Sequence, residues 1–420
     1  MNLYGWIILA ALLIETAVQA IAKLLNLKSM TSPPPEELSD VYDGEAYRKS
    51  QAYERASARL GLTAAATDLV ILLAFWFLQG FDRLQQLVES FGLSVIPSGL
   101  IYIGILAAAK SLLDLPFDAY AVFAIEERFG FNRMTVKTFL LDRLKGAFLG
   151  LIIGAPLLAA VLFFFDSLGG SAWLYAWMLV TFVSILLTFL APSLILPLFN
   201  KFTPLPSGEL YDSISRYAQS VNYPLQGVYV TDGSRRSTKG NAYFIGFGKK
   251  KRIALFDTLI EKQSPDEITA VLAHEIGHYK KKHVWINLLI HFVHSGLLFF
   301  LLSLFLRHKP LYEAFFMQST PIYAGLVFFG MLYSPVESLL GIFLNALSRR
   351  QELAADRYVA QTLPQGSLLL ISSLKKLAAD HLENLTPHPF YVWLNYSHPP
   401  LLQRIQALKQ AALTGESSSR

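Results

Sequence analysis

The chain has 420 residues, of which 53% are apolar and only 16% charged, with no cysteine and a net charge of +5. Together with a positive mean hydropathy, this excludes an ordinary soluble domain, in which about 25% of residues are charged; the lack of cysteine excludes disulfides and thiol chemistry. A polytopic membrane protein remains, and the basic balance suits loops that face anionic lipid, so nucleic acid is not needed as a partner.

Crossing a bilayer as a helix takes about 20 apolar residues, and seven such stretches are found. The first, residues 4–22, has no Lys or Arg ahead of it and contains Glu15 and Gln19, which predicts a retained helix and not a cleaved signal peptide. Residues 29–60 read as a loop with Pro33-Pro34-Pro35 and an amphipathic helical stretch; spans two to five are expected at 63–81, 96–115, 147–166 and 172–198. The largest soluble insert covers 200–283. In it, Gly227–Thr231, Ala242–Phe247 and Arg252–Phe256 read as strands, with a turn at Gly248-Lys249-Lys250. Ser264-Pro265-Asp266-Glu267 then combines an N-cap, a first-turn Pro and a capping-box Glu, which predicts a helix start. Ile268, Val271, Leu272 and Ile276 give that helix a packed face. Spans six and seven are expected at 284–306 and 322–346. The chain thus divides into residues 1–199 with five spans, the insert 200–283, residues 284–346 with two spans, and cytoplasmic C-terminal helices over 347–420. The predicted fold is mainly α, with a small cytoplasmic α+β region.

Cytoplasmic loops are the ones rich in Lys and Arg. Lys23, Lys28, Arg48, Lys49, Arg55 and Arg59 lie in the first loop, Arg83 alone in the second, and Arg128, Arg133, Lys137, Arg143 and Lys145 in the third. The fourth has none, the fifth is long and basic, the sixth holds Arg307 and Lys309, and Arg349-Arg350 opens the tail. This alternation predicts an outside N-terminus and a cytoplasmic C-terminus.

The chemistry concentrates in His274-Glu275-Ile276-Gly277-His278. Two imidazoles four positions apart on one helix face can reach a single metal ion, with the carboxylate between them aimed at its open position. Two unrelated surface histidines would be the plain alternative, but the helix start ahead of them favours a zinc-hydrolase site. A catalytic zinc takes a third protein ligand, and without cysteine it is His, Asp or Glu. Glu352 is the best candidate, and Asp356 lies four positions on. One carboxylate could bind the metal while the other orients a ligand imidazole; a solvated helix end with an Arg–Glu pair is the alternative. Topology favours Glu352, because it follows span seven as closely as His278 precedes span six, about 10 Å of helix in each case.

Several stretches, in this order, resemble the integral-membrane CAAX prenyl proteases of type 1: Phe129–Thr135, Pro192–Pro204, Asn241–Phe247, Leu272–His278, Asn345–Asp356 and Asn395–Arg404. The resemblance implies a zinc metalloendopeptidase with seven helices around an intramembrane chamber. It implies His274, His278 and Glu352 as Zn2+ ligands, Glu275 as general base and acid, and Asp356 as the group behind a ligand histidine. It also implies that Asn241 holds the substrate backbone and that His398 and Arg404 stabilise the tetrahedral intermediate. Read alone, those last two are a loop His and a helix Arg. His291 and His294 match no ligand position. The expected partners are a peptide or protein substrate, with or without an attached lipid, and membrane lipids; the oligomeric state stays open. The compact chain, with no evident ER-retrieval signal in Gly415–Arg420, suggests a bacterial inner membrane. The rival readings are a quality-control protease of the heat-shock type, with fewer spans, and a channel or transporter with structural zinc, for which intramembrane Glu15, Lys110 and Asp114 would also be typical.

Overall fold

The structure is a computed structural model that describes residues 1–30, 33–245 and 251–418. Five helices of membrane-spanning length and apolarity come first: α1 (Leu3–Ser29), α2 (Gly44–Phe77), α3 (Val95–Phe129), α4 (Val136–Ser167) and α5 (Gly169–Phe199). The insert follows with β1 (Phe202–Pro204), α6 (Glu209–Ser220), β2 (Leu225–Thr231), β3 (Ala242–Ile245), β4 (Lys251–Phe256) and α7 (Pro265–Lys280). Two more spanning helices, α8 (His283–Phe305) and α9 (Ile322–Thr362), complete the expected seven. The chain closes with α10 (Gly366–His381), α11 (Pro389–Asn395) and α12 (Leu401–Ser418).

All the spans but α8 are longer than their apolar stretches, because the flanking sequence does not stop the helix there. Asp43 caps α2, its carboxylate accepting the N–H groups of Glu45 and Ala46, so much of the stretch read as a loop over 29–60 is helix. α9 is the extreme case, with 41 residues, or about 60 Å at the α-helical rise. It runs unbroken through the expected boundary at 346 and carries Glu352 and Asp356 as a rigid extension of a membrane helix.

The spans bury little of themselves: none of the apolar window of α5 is buried, and side chains such as Ile14, Phe148, Phe182 and Val293 point outward. Lipid is the solvent that such a surface requires. Between α1, α2, α3 and α9 lies a cavity of about 850 Å³, lined mostly by apolar side chains together with Glu15, Asp68 and Lys110. Lys110 pairs there with Asp68 at 3.1 Å and also with Asp114, which keeps intramembrane charges matched.

The sheet has the order β1-β2-β4-β3, with β2 parallel to β4 and β3 antiparallel to β4, so β3 is an edge strand. β1 was not expected from the sequence; it is three residues long and contains Pro204, which only an edge tolerates. The predicted turn at Gly248–Lys250 and the end of the predicted strand at Phe247 lie outside the described residues. α7 starts as the capping box predicts: Glu267 donates its N–H to Ser264 Oγ at 3.3 Å, and Ser264 N–H donates to Glu267 Oε2 at 2.8 Å. Ile268, Leu272 and Ile276 are 1% exposed in the extramembrane core. Val271 is half-buried and instead lines a cavity beside the motif.

Candidate metal centre

Within α7, His274 and His278 lie one turn apart and turn their Nε2 atoms towards each other, 3.2 Å apart. α9 crosses α7 at Gly277, where an added Cβ would meet Ala355 Cα at 3.1 Å and the Ala355 carbonyl oxygen at 3.2 Å. Glycine thus permits the close approach that brings Glu352 to the histidines. Glu352 Oε2 stands 3.3 Å from His274 Nε2, and Oε1 stands 3.2 Å from His278 Nε2.

These distances have the spacing of a coordination shell. Tetrahedral zinc, with donors at about 2.0–2.2 Å, sets neighbouring donors about 3.3 Å apart. Among the described residues, His274, His278 and Glu352 form the one group of this kind. Glu352 Oε2 is also buried without a hydrogen-bond partner, an arrangement that costs free energy unless a cation satisfies it. Electrostatics point the same way. Burial pulls the His274 pKa down, but the neighbouring carboxylates of Asp356 and Glu352 outweigh burial and raise it to about 9. The site favours positive charge, which a metal ion would supply.

The two histidines have further partners on their other nitrogens. His274 Nδ1 donates to Asp356 Oδ1 at 2.8 Å. Arg404, from α12, donates from Nε to Asp356 Oδ2 at 2.8 Å and from Nη2 to Oδ1 at 2.6 Å. His278 Nδ1 lies 3.0 Å from Nδ1 of His283.

A cavity of about 440 Å³ opens beside this centre, and Asn241, His274, Glu275, Glu352, His398 and Arg404 all line it. His278 and Asp356 sit behind its wall. Burial pushes the Glu275 carboxyl above its usual range, against the pull of the two histidines. His398 extends into the opening with its side chain 63% exposed and Nε2 3.4 Å from Glu352 Oε1. Arg404 Nη2 lies 4.0 Å from Glu352 Oε2. Asn241 leads into β3, where its Oδ1 accepts the N–H of Ala242 and its backbone oxygen that of Phe256. His381 and Glu383, which no motif singles out, share the same lining.

The comparisons with known proteins cover nearly the whole chain. Residues 23–201 match the family described as CAAX prenyl protease N-terminal, five membrane helices, and residues 204–412 match peptidase family M48. The CAAX prenyl protease 1 homolog of Oryza sativa subsp. japonica is 36% identical, with 92% of each chain covered. The chain belongs to peptidase family M48, in its CAAX prenyl protease branch. CAAX prenyl protease 1 of Saccharomyces cerevisiae is 35% identical over 90% of this chain and 89% of its own. The crystal structure of S. mikatae Ste24p superposes with a TM-score of 0.92 at 34% identity, covering 97% of this chain and 99% of that one.

This M48 peptidase is therefore a membrane-embedded metalloprotease. Its fold is the expected one, with seven helices of spanning length among the described residues around a chamber, and a small extramembrane sheet.

Proposed function

We propose that this M48 peptidase holds zinc through His274, His278 and Glu352 and cleaves peptide bonds near the C-terminus of prenylated CAAX proteins or related membrane-associated substrates. The observation that carries the metal assignment is the set of three donor atoms, two nitrogens and a carboxylate oxygen, at the mutual spacing of tetrahedral ligands. The substrate class is suggested by the names of relatives that this chain matches over nine-tenths of its length.

Bound zinc supplies Lewis acidity, lowering the pKa of a water molecule and polarising a carbonyl. The protein does the rest. Glu275, in the cavity wall, takes the proton of the attacking water and returns it to the leaving amine. His398 and Arg404 line the same cavity and face the oxygen on which charge develops. Asp356 fixes the tautomer and direction of His274. Since β3 is an edge strand that leads from Asn241 at the cavity, an extended peptide can pair with it through backbone hydrogen bonds, with Asn241 holding the main chain.

The metal end of the molecule faces the cytoplasm in this reading, with the N-terminus outside. The basic loops support that orientation, since they join the spans at the end where α7 and the sheet are built. A direct test is cleavage of a farnesylated CAAX peptide by the purified protein in detergent. Release of the C-terminal tripeptide, lost on chelation and restored by zinc, is expected; cleavage unaffected by a chelator that strips the metal would reject the proposal.

A further inference from the structure

The turn between α7 and α8 folds a third imidazole onto the metal centre. Lys282, between the two helices, takes a φ of 60°, and His283, the first residue of α8, lies buried with its Nδ1 3.0 Å from His278 Nδ1. His278 directs Nε2 at the other two ligands, 3.2 Å from Glu352 Oε1 and 3.2 Å from His274 Nε2. With a metal ion held on Nε2, the His278 proton would sit on Nδ1 and be donated to His283, whose own proton would then be on Nε2. One turn further along α8, Asn287 and Gln351 exchange amide hydrogen bonds of 3.3 and 3.0 Å, and Gln351 adjoins Glu352. The first turns of a membrane helix are thus keyed to both ligand-bearing helices.

We infer that His283 is a positioning residue for the metal, a neutral acceptor that fixes the ring and tautomer of His278 as Asp356 does for His274. The inference rests on the metal assignment above. It also gives the centre a polarity: with a carboxylate behind one histidine and an imidazole behind the other, less negative charge surrounds the ion than two carboxylates would bring.

The test compares wild type with His283→Leu, which removes the acceptor, and His283→Asn, whose Oδ1 takes the place of Nδ1. Each is purified in detergent, stripped of metal, and titrated with Zn2+ against a chromophoric chelator and with Co2+ for its visible d–d spectrum. His283→Leu is expected to bind zinc about 10- to 100-fold more weakly with an altered cobalt spectrum, and His283→Asn to recover most of both. Wild-type zinc affinity in His283→Leu, or equal loss in Leu and Asn, would overturn the role. If His283→Leu does not purify as a monodisperse protein, His283→Gln, whose longer chain displaces the acceptor, is read in the same way. A wild-type protein that takes up no zinc would instead sink the metal assignment itself, so the two failures are distinct.

Discussion

Arg404 grips Asp356 with two parallel hydrogen bonds, 2.8 Å from Nε and 2.6 Å from Nη2, while Asp356 accepts the Nδ1 proton of His274 at 2.8 Å. One carboxylate thereby couples the C-terminal helix to His274. Asp356 is 1% exposed, and removing its partner would leave a buried charge uncompensated, at a cost of about 3–5 kcal/mol. Arg404→Ala is expected to lower the thermal midpoint and weaken metal binding together. Arg404→Lys, which cannot make the bidentate contact, should fold but show reduced zinc affinity and turnover. Unchanged zinc affinity in both variants would show that the Arg404–Asp356 pair does not support the metal.

Glu275→Gln keeps the shape of the side chain and removes the base. The variant is expected to fold and to bind zinc as wild type does, with turnover reduced on the order of 10³-fold or more. Metal content and single-turnover cleavage of the farnesylated peptide check this, and near-normal turnover would remove Glu275 from the mechanism.

Gly277→Ala tests the helix crossing. Alanine gains about 1 kcal/mol of helix propensity over glycine, but here its methyl would press on Ala355 backbone atoms at 3.1 and 3.2 Å, which cannot swing aside. Overpacking of this kind costs about 1–3 kcal/mol, so crowding prevails. The expected result is a lower thermal midpoint and weaker zinc binding, since α9 and Glu352 must move away from the histidines. A more stable protein with unchanged zinc affinity would show that the crossing has slack.

These features differ in how far the sequence reveals them. The seven spans could be read because each is a long apolar run, and the start of α7 because the capping box is local chemistry within four residues. Glu352 was within reach because it recurs four positions before Asp356 at the expected membrane face. The Arg404–Asp356 pair joins residues 48 positions apart, and no local pattern marks it. His283 was visible only as the end of a basic run; its contact with His278 depends on the left-handed turn at Lys282, a conformation that no residue type there signals. The lengths of α2 and α9 were underestimated because apolarity locates the membrane, whereas caps and breakers locate helix ends.

Glu267 links stability to pH. It is 5% exposed, and although burial raises its pKa, hydrogen bonds from Lys376, Ser372 and the Ser264 backbone outweigh burial and hold the carboxyl below its usual range. A lowered folded-state pKa gives stability that is complete above the unfolded value of about 4.3 and is lost as pH falls through the folded value. The thermal midpoint of wild type should therefore exceed that of Glu267→Gln at pH 7, and the gap should close as the pH is brought down towards 3. A gap that stays constant over that range would mean that the Glu267 charge contributes nothing.

The central claim is that two imidazoles of α7 and one carboxylate of α9 share a single metal ion. Anomalous diffraction at the zinc edge from crystals of the purified protein tests it most directly. The account predicts one strong peak, about 2.0–2.2 Å from His274 Nε2, His278 Nε2 and a Glu352 carboxylate oxygen. A peak whose shell is completed by another side chain, with Glu352 out of bonding range, would contradict it.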